Sequence, residues 1–249
     1  MIIFNENGVK VDTENNEVYE QYLANKYILE NDVVLELGAR YGSVSCIINS
    51  KLNNKYNQIV VEPDSRVWDV LEKNKTINNC NFNIVKGFIS NKKLGLTNLD
   101  ENYGTTSIET DDTNIASYTL NEIEQKYNLK FNVLVADCEG FLETFFDENP
   151  ELYDKLELLI YEADYPKKCN YKKIETNLKN SKFINILYGF QNVWVKDSVY
   201  EQRGINNSPD PFYNSAHYYI RKPIHKPIPK PIPKPINIRS HTLTKLSFN

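Results

Sequence analysis

Between Val33 and Tyr161, short apolar runs alternate with segments whose apolar residues recur at helical spacing. The runs are Val33 to Leu37, Gln58 to Val61, Phe82 to Ile89, Phe131 to Ala136 and Leu156 to Tyr161. Between them, Val44, Ile47, Ile48 and Leu52 form one helix face. Val67, Val70 and Leu71 form a second, Thr119 to Glu122 is a capping-box start, and Gly140 to Phe146 is a further helix. Uninterrupted apolar strands joined by helical crossovers predict a mostly parallel sheet with helices on both faces, an α/β, Rossmann-like fold. Phe183 to Val195 and His217 to Arg221 are expected to supply two more strands at the C-terminal edge, for a seven-stranded sheet. Glu14 to Ile28 is expected to be an amphipathic lead-in helix, and Asn91 to Thr113 a loop with a hairpin.

The organisation expected is therefore a lead over residues 1–31, a catalytic-sized domain over 32–221, and a tail over 222–249. The tail repeats Lys-Pro-Ile-Pro, a composition that favours extended polyproline over helix or sheet interior. Charge divides along the same line. The formal net charge is −4, but the last 29 residues hold seven Lys or Arg and no Asp or Glu, which leaves −11 on residues 1–220. An acidic body argues against nucleic acid as a partner, because phosphate binding depends on clustered Lys and Arg. The tail is the one segment suited to an anionic or groove-bearing partner, through Lys226, Lys230 and Lys234. Cys46, Cys80, Cys138 and Cys169 show no C-x-x-C or His at metal-ligand spacing. No metal site is read from them, and a reduced, cytoplasmic protein is expected. No secretory leader and no membrane span is read either.

In an open α/β sheet the ligand lies beyond the carboxyl ends of the strands, so the residues there carry the functional signal. The first strand runs into Glu36-Leu37-Gly38-Ala39-Arg40-Tyr41-Gly42, and the second ends in Glu62-Pro63-Asp64, with Glu62 twenty residues after Gly42. A carboxylate at that distance suits a ribose diol. The glycine pattern is wrong for a dinucleotide: Arg40 and Ser43 stand where the second and third glycines of G-x-G-x-x-G belong, and Glu36 would face phosphates. An adenosyl cofactor without phosphates tolerates both, and Glu36 is then a candidate for binding a methionine ammonium group, directly or through water.

These segments resemble a class I S-adenosylmethionine-dependent methyltransferase. Thr119-Leu120-Asn121-Glu122, Asp137-Cys138-Glu139-Gly140 and Tyr161-Glu162 narrow the resemblance to the FkbM type over roughly residues 32–164. The family differs in having Asp at Glu36 and Asn at Arg40, and Ala-Glu after the glycine where this chain has Phe141-Leu142. The resemblance implies S-adenosyl-L-methionine as cofactor and O-methyl transfer to a sugar, glycan or small-molecule hydroxyl. The expected cofactor contacts are Glu36, Gly38, Ala39, Tyr41, Gly42, Glu62, Pro63, Asp64, Phe88, Ile89 and Asp137. A proton acceptor is also needed. Asp137 and Glu139 at the fourth strand end are the candidates, with His217 as the rival base. The alternatives are a methyltransferase of RNA or another polyanion docked by the tail, and an inactive cofactor-binding scaffold acting through the tail.

Overall fold

The computed structural model describes residues 1–97, 105–205 and the strand pair 218–219. Five parallel strands form its centre: β1 (Val34–Leu37), β2 (Gln58–Glu62), β3 (Asn83–Lys86), β8 (Val133–Ala136) and β9 (Leu158–Glu162). The remaining sheet strands are β10 (Phe183–Gly189), β11 (Gln191–Lys196) and β12 (Tyr218–Tyr219), in the order β12-β10-β11-β9-β8-β1-β2-β3. β11 runs antiparallel to β9 and β10 antiparallel to β11, so β10 is parallel to the central five. The expected seven-stranded, mostly parallel sheet is present, with the two-residue β12 added at its edge.

Register explains how the two cores arise. Val34 lies beside Gln58 and Val133, and Leu37 beside Val61 and Ala136. Because side chains alternate with period two, Leu35, Leu37, Ile59, Val61, Leu134 and Leu159 share one face. They pack with α4 (Leu120–Tyr127), α5 (Leu142–Glu148), α6 (Leu152–Lys155) and α7 (Tyr171–Asn180). Val34, Val133, Val135, Leu158 and Ile160 face the other way, onto α1 (Val18–Tyr27) and α2 (Ser43–Lys51). α3 (Trp68–Ile77) closes a third cluster with Ile3, Val60 and Phe82. Burial of both faces is the reason these strands read as unbroken apolar runs.

The expected capping box is present at α4: Thr119 Oγ1 accepts from the Glu122 N–H and Glu122 accepts from the Thr119 N–H. The expected hairpin is β5 (Leu94–Thr97) against β6 (Thr106–Glu109). The third expected strand is cut at Gly87: β3 stays in the sheet, whereas β4 (Phe88–Ile89) pairs with β7 (Ser117–Tyr118). A Cβ at Gly87 would sit 2.3 Å from the Ala116 carbonyl oxygen, so glycine permits the redirection. Phe183 to Val195 is two strands rather than one, joined at Phe190. α7 has no counterpart in the sequence reading, because only Ile174 and Leu178 on it are buried.

At the amino ends of the strands the buried Arg203 donates to both oxygens of Asp32 at 2.9 Å and to Glu157 at 2.9 Å, tying the segment after β11 to the entries of β1 and β9. Among the described residues no helix is long and apolar enough to cross a membrane. The proline-rich tail lies outside the described residues, as does His217.

Candidate cofactor cleft and active site

The sheet order reverses between β1 and β8, which places a crevice beyond their carboxyl ends. Gly38 lies on one side of it and Asp137 on the other. The backbone there is tight: the Asp137 N–H donates to the Leu37 carbonyl at 3.0 Å and the Gly38 N–H to the Val61 carbonyl at 3.0 Å. Gly38 has φ +84°, and a Cβ on it would fall 1.7 Å from the Asp137 carbonyl oxygen. Only glycine fits both the conformation and the close approach. Gly42, at φ +83°, caps α2 against Leu71.

Arg40 follows in a left-handed conformation, φ 43°. This turns its N–H onto Glu62 Oε2 at 2.7 Å, while the Asp64 N–H binds Oε1 at 2.7 Å. Two backbone donors thus hold the buried Glu62 carboxyl at the end of β2, and burial pushes its pKa up to about 7. Glu36 is used differently. Its two oxygens accept from Ser45 Oγ (2.9 Å) and Gln58 Nε2 (3.0 Å), and burial pushes it up to about 8. Asp64 is gripped by the Arg66 guanidinium, with contacts from 2.7 Å. Tyr41 donates to Glu6 at 2.5 Å and packs in the α3 cluster.

Six of the expected contacts, Gly38, Glu62, Pro63, Phe88, Ile89 and Asp137, line one cleft that encloses about 760 Å³ of space, open solvent included. A smaller lobe of about 410 Å³ shares Leu37, Gly38 and Asp137 with it and adds Glu36 and Ala39. Tyr41, Gly42 and Asp64 line neither. The sequence reading missed Glu17, which lines both spaces, and Leu96, Thr105 and Ser107, which the β5–β6 hairpin lays over the larger cleft. No motif marks them, since they come from outside the sheet's strand ends.

Carboxyl groups gather where β8 and β9 end. Ala136 pairs with Tyr161, so the next residues, Asp137 and Glu162, come side by side. Oxygens of Asp137, Glu162 and Asp164 lie within 4.8 Å of one another. Burial, then the charges of Glu162 and Glu139, holds Asp137 well above the ordinary carboxylate range. Burial and then Asp164 raise Glu139 to about 8, and burial and then Glu20 raise Glu162 to about 8. Groups so shifted can exchange protons near neutral pH. Three oxygen donors at this spacing could also receive a hard divalent cation.

No family model and no curated protein matches the chain. Solved structures do. An rRNA methylase from Streptococcus thermophilus is 6% identical with TM-score 0.46, over 72% of this chain and 94% of that one. A precorrin-6y C5,15-methyltransferase from Geobacter metallireducens is 13% identical with TM-score 0.45, over 73% and 90%. A protein of the NADB-Rossmann superfamily from Streptococcus agalactiae is 8% identical with TM-score 0.46, over 71% and 67%. The fold is Rossmann-like, as the strand order shows. At these identities and TM-scores the likenesses assign no residue of this chain a role.

Proposed function

We propose that the chain is an S-adenosylmethionine-dependent methyltransferase of FkbM-like type that methylates a hydroxyl of a sugar, glycan or small molecule. The observation that carries this reading is Glu62: a carboxyl fixed by two backbone N–H groups at the end of β2, lining a cleft at the reversal of strand order. Its remaining lone pairs suit the two hydroxyls of a ribose. Pro63, Phe88 and Ile89 offer an apolar wall for a base, and Gly38 allows backbone approach. Glu17, Asp137 and Glu139 share this cleft with Arg40, and the excess of carboxyl groups over that guanidinium favours a cationic cofactor over a phosphate-bearing one.

S-adenosylmethionine would supply a methyl group already activated on a sulfonium. The protein's task is then to align an acceptor oxygen and take its proton. Glu139 lines the cleft on a left-handed turn just past β8, φ 51°, and is the proton acceptor in this reading. Asp137 is the contact between cofactor and acceptor spaces. The carboxyl-rich cleft and the −11 body suit an uncharged acceptor better than a nucleic acid. Four free cysteines suit a reducing, cytoplasmic setting.

Calorimetry with S-adenosylmethionine tests the reading. Binding is expected for the native chain, and Glu62→Ala is expected to weaken it at least about tenfold, the loss of one charge-assisted hydrogen bond. Absence of binding, or full affinity in the variant, would overturn it. A labelled-methyl screen over glycans, small alcohols and RNA identifies the acceptor. Repeating it with and without EDTA separates proton acceptance by Glu139 from activation by a cation on the Asp137, Glu162 and Asp164 carboxylates.

A further inference from the structure

A second recess opens past the carboxyl end of β9, beside the start of α7 and the turn from β10 to β11, and its charge is opposite to that of the cofactor cleft. Lys167, Lys168 and Lys172 line it, and among the described residues none of these three side chains has an ion pair or a hydrogen bond. Its two carboxyl groups are matched from outside the recess: Glu143 by Lys173 Nζ at 3.2 Å and Glu175 by Lys179 Nζ at 3.7 Å. α7 begins here through Tyr171 and Lys172, so the positive end of the helix adds to three ammonium groups. On a body of −11 this is a local site for an anion.

The rest of the lining suits a sugar. Tyr171 stacks on the buried Tyr161, with ring centroids 5.7 Å apart and planes 10° from parallel, and Tyr188 stands on the same recess. Rigid rings offer surface to the C–H face of a pyranose. Asn192, only 1% exposed, donates through Nδ2 to the Gly189 carbonyl at 2.8 Å, and its Oδ1 has no partner among the described residues. A sugar hydroxyl is a donor of the kind that this oxygen lacks.

Two links join the recess to the catalytic residues. The Tyr171 hydroxyl donates to Asp164 Oδ1 at 3.1 Å, and Asp164 stands with Asp137 and Glu162. Gly140, at φ +87°, supplies the second: a Cβ there would fall 2.9 Å from Tyr165 Cβ and 3.0 Å from Lys168 Cβ. The segment bearing the lysines therefore rests directly on the turn that carries Glu139.

We propose that this recess is the acceptor subsite, where Lys167, Lys168 and Lys172 hold the phosphate or carboxylate group of an anionic sugar whose reacting hydroxyl lies in the cofactor cleft. This rests on the methyltransferase reading above and narrows its acceptor. The carboxyl groups of the cleft repel an anion placed beside the transferred methyl, so the acceptor's charge belongs at its far end, over the lysines.

Ligand-observed NMR titrations with glucose, glucose 6-phosphate and glucuronate, run without cofactor, test the subsite. At least one anionic sugar is expected to bind about tenfold or more tightly than glucose, and which one does so distinguishes phosphate from carboxylate. Lys167→Gln, Lys168→Gln and Lys172→Gln combined should remove that preference and leave S-adenosylmethionine affinity within about twofold. Lys155→Gln, just before β9, should keep both, and thermal melts confirm that each variant is folded. No preference in the native chain, or one that survives the triple variant, would overturn the proposal. So would an RNA oligonucleotide that binds more tightly than either sugar and is lost with the three lysines, since the surface would then serve a polyanion. Failure of the native chain to bind S-adenosylmethionine would overturn the cofactor reading, and is measured separately from the sugar titrations.

Discussion

Replacing Gly38 by alanine should be among the most damaging single-methyl additions available in this protein. The Cβ would lie 1.7 Å from the Asp137 carbonyl oxygen and 2.9 Å from its carbon, and both are backbone atoms of a central strand exit. No rotamer change relieves such a contact. Restoring about 3.0 Å requires the turn and β8 to separate by more than 1 Å, which strains the Asp137 to Leu37 and Gly38 to Val61 hydrogen bonds, both 3.0 Å long. Two such bonds are worth about 1 kcal/mol each, and a left-handed φ for alanine costs about 1–2 kcal/mol, so a loss of roughly 3–4 kcal/mol is expected. In a chain of this size that corresponds to a melting point lower by about 6–16 °C. The same displacement moves the Arg40 N–H off Glu62, so cofactor affinity should fall with stability. Gly42→Ala is the internal control: its φ is +83°, but its Cβ meets only the movable Leu71 Cδ1 at 2.7 Å, and about 1–2 kcal/mol is expected. Denaturant melts with an unchanged m-value give both numbers. A Gly38→Ala protein no less stable than Gly42→Ala, and with full cofactor affinity, would refute the reasoning.

Glu139→Gln should lower the turnover of the identified acceptor by about 10²–10⁴ and remove a rate limb that, in the native enzyme, rises with pH to a plateau above about 8; an unchanged pH profile transfers the role elsewhere. The same carboxyl groups set a stability trend. Glu36, Glu139 and Glu162 all have native pKa values near 8, above their unfolded values, so the native state holds protons that the unfolded chain releases. The contribution of these three groups is therefore fullest below the ordinary carboxylate range and declines as pH rises toward 8, and melts of Glu36→Gln, Glu139→Gln and Glu162→Gln that leave the slope between about pH 5 and 8 unchanged would contradict the assigned environments. Arg203→Ala leaves the buried Asp32 carboxylate without its partner and should cost about 3–5 kcal/mol in chemical denaturation, against less than 1 kcal/mol for a surface pair such as Lys155 with Glu151. Removing residues 222–249 should leave cofactor affinity unchanged and abolish retention on an anionic matrix; equal retention of the full and shortened chains would remove the tail's proposed role.

Much of the scaffold could be read directly because a doubly covered parallel sheet needs unbroken apolar strands, and Val34-Leu35, Ile59-Val60-Val61 and Val133-Leu134-Val135 supply them. The turn at Gly38 and the cap at Thr119 were equally legible, since each is a local requirement of backbone geometry. Helix α7 was not, because it buries only Ile174 and Leu178 fully and presents mostly Lys, Glu and Asn outward. The cut at Gly87 was hidden inside an apolar run, and what forces it is the approach of Ala116, 29 positions later in the chain.

Of the candidate site, local sequence determined which residues stand at the strand ends: Gly38, Glu62 and Asp137 each follow from where an apolar run stops. Tertiary structure decided what those residues do. Glu36 and Glu62 are both carboxylates at strand ends, yet Glu36 accepts from the Ser45 and Gln58 side chains whereas Glu62 is held by backbone donors beside an open cleft. Asp137 and Glu162 become neighbours only through the pairing of β8 with β9, and Glu17 enters the site only because α1 packs on α2. Residue type and spacing determine strand ends because those are set by period and local sterics. The charge environment and partners of each group depend on contacts between segments far apart in the chain, and only the assembled sheet brings those together.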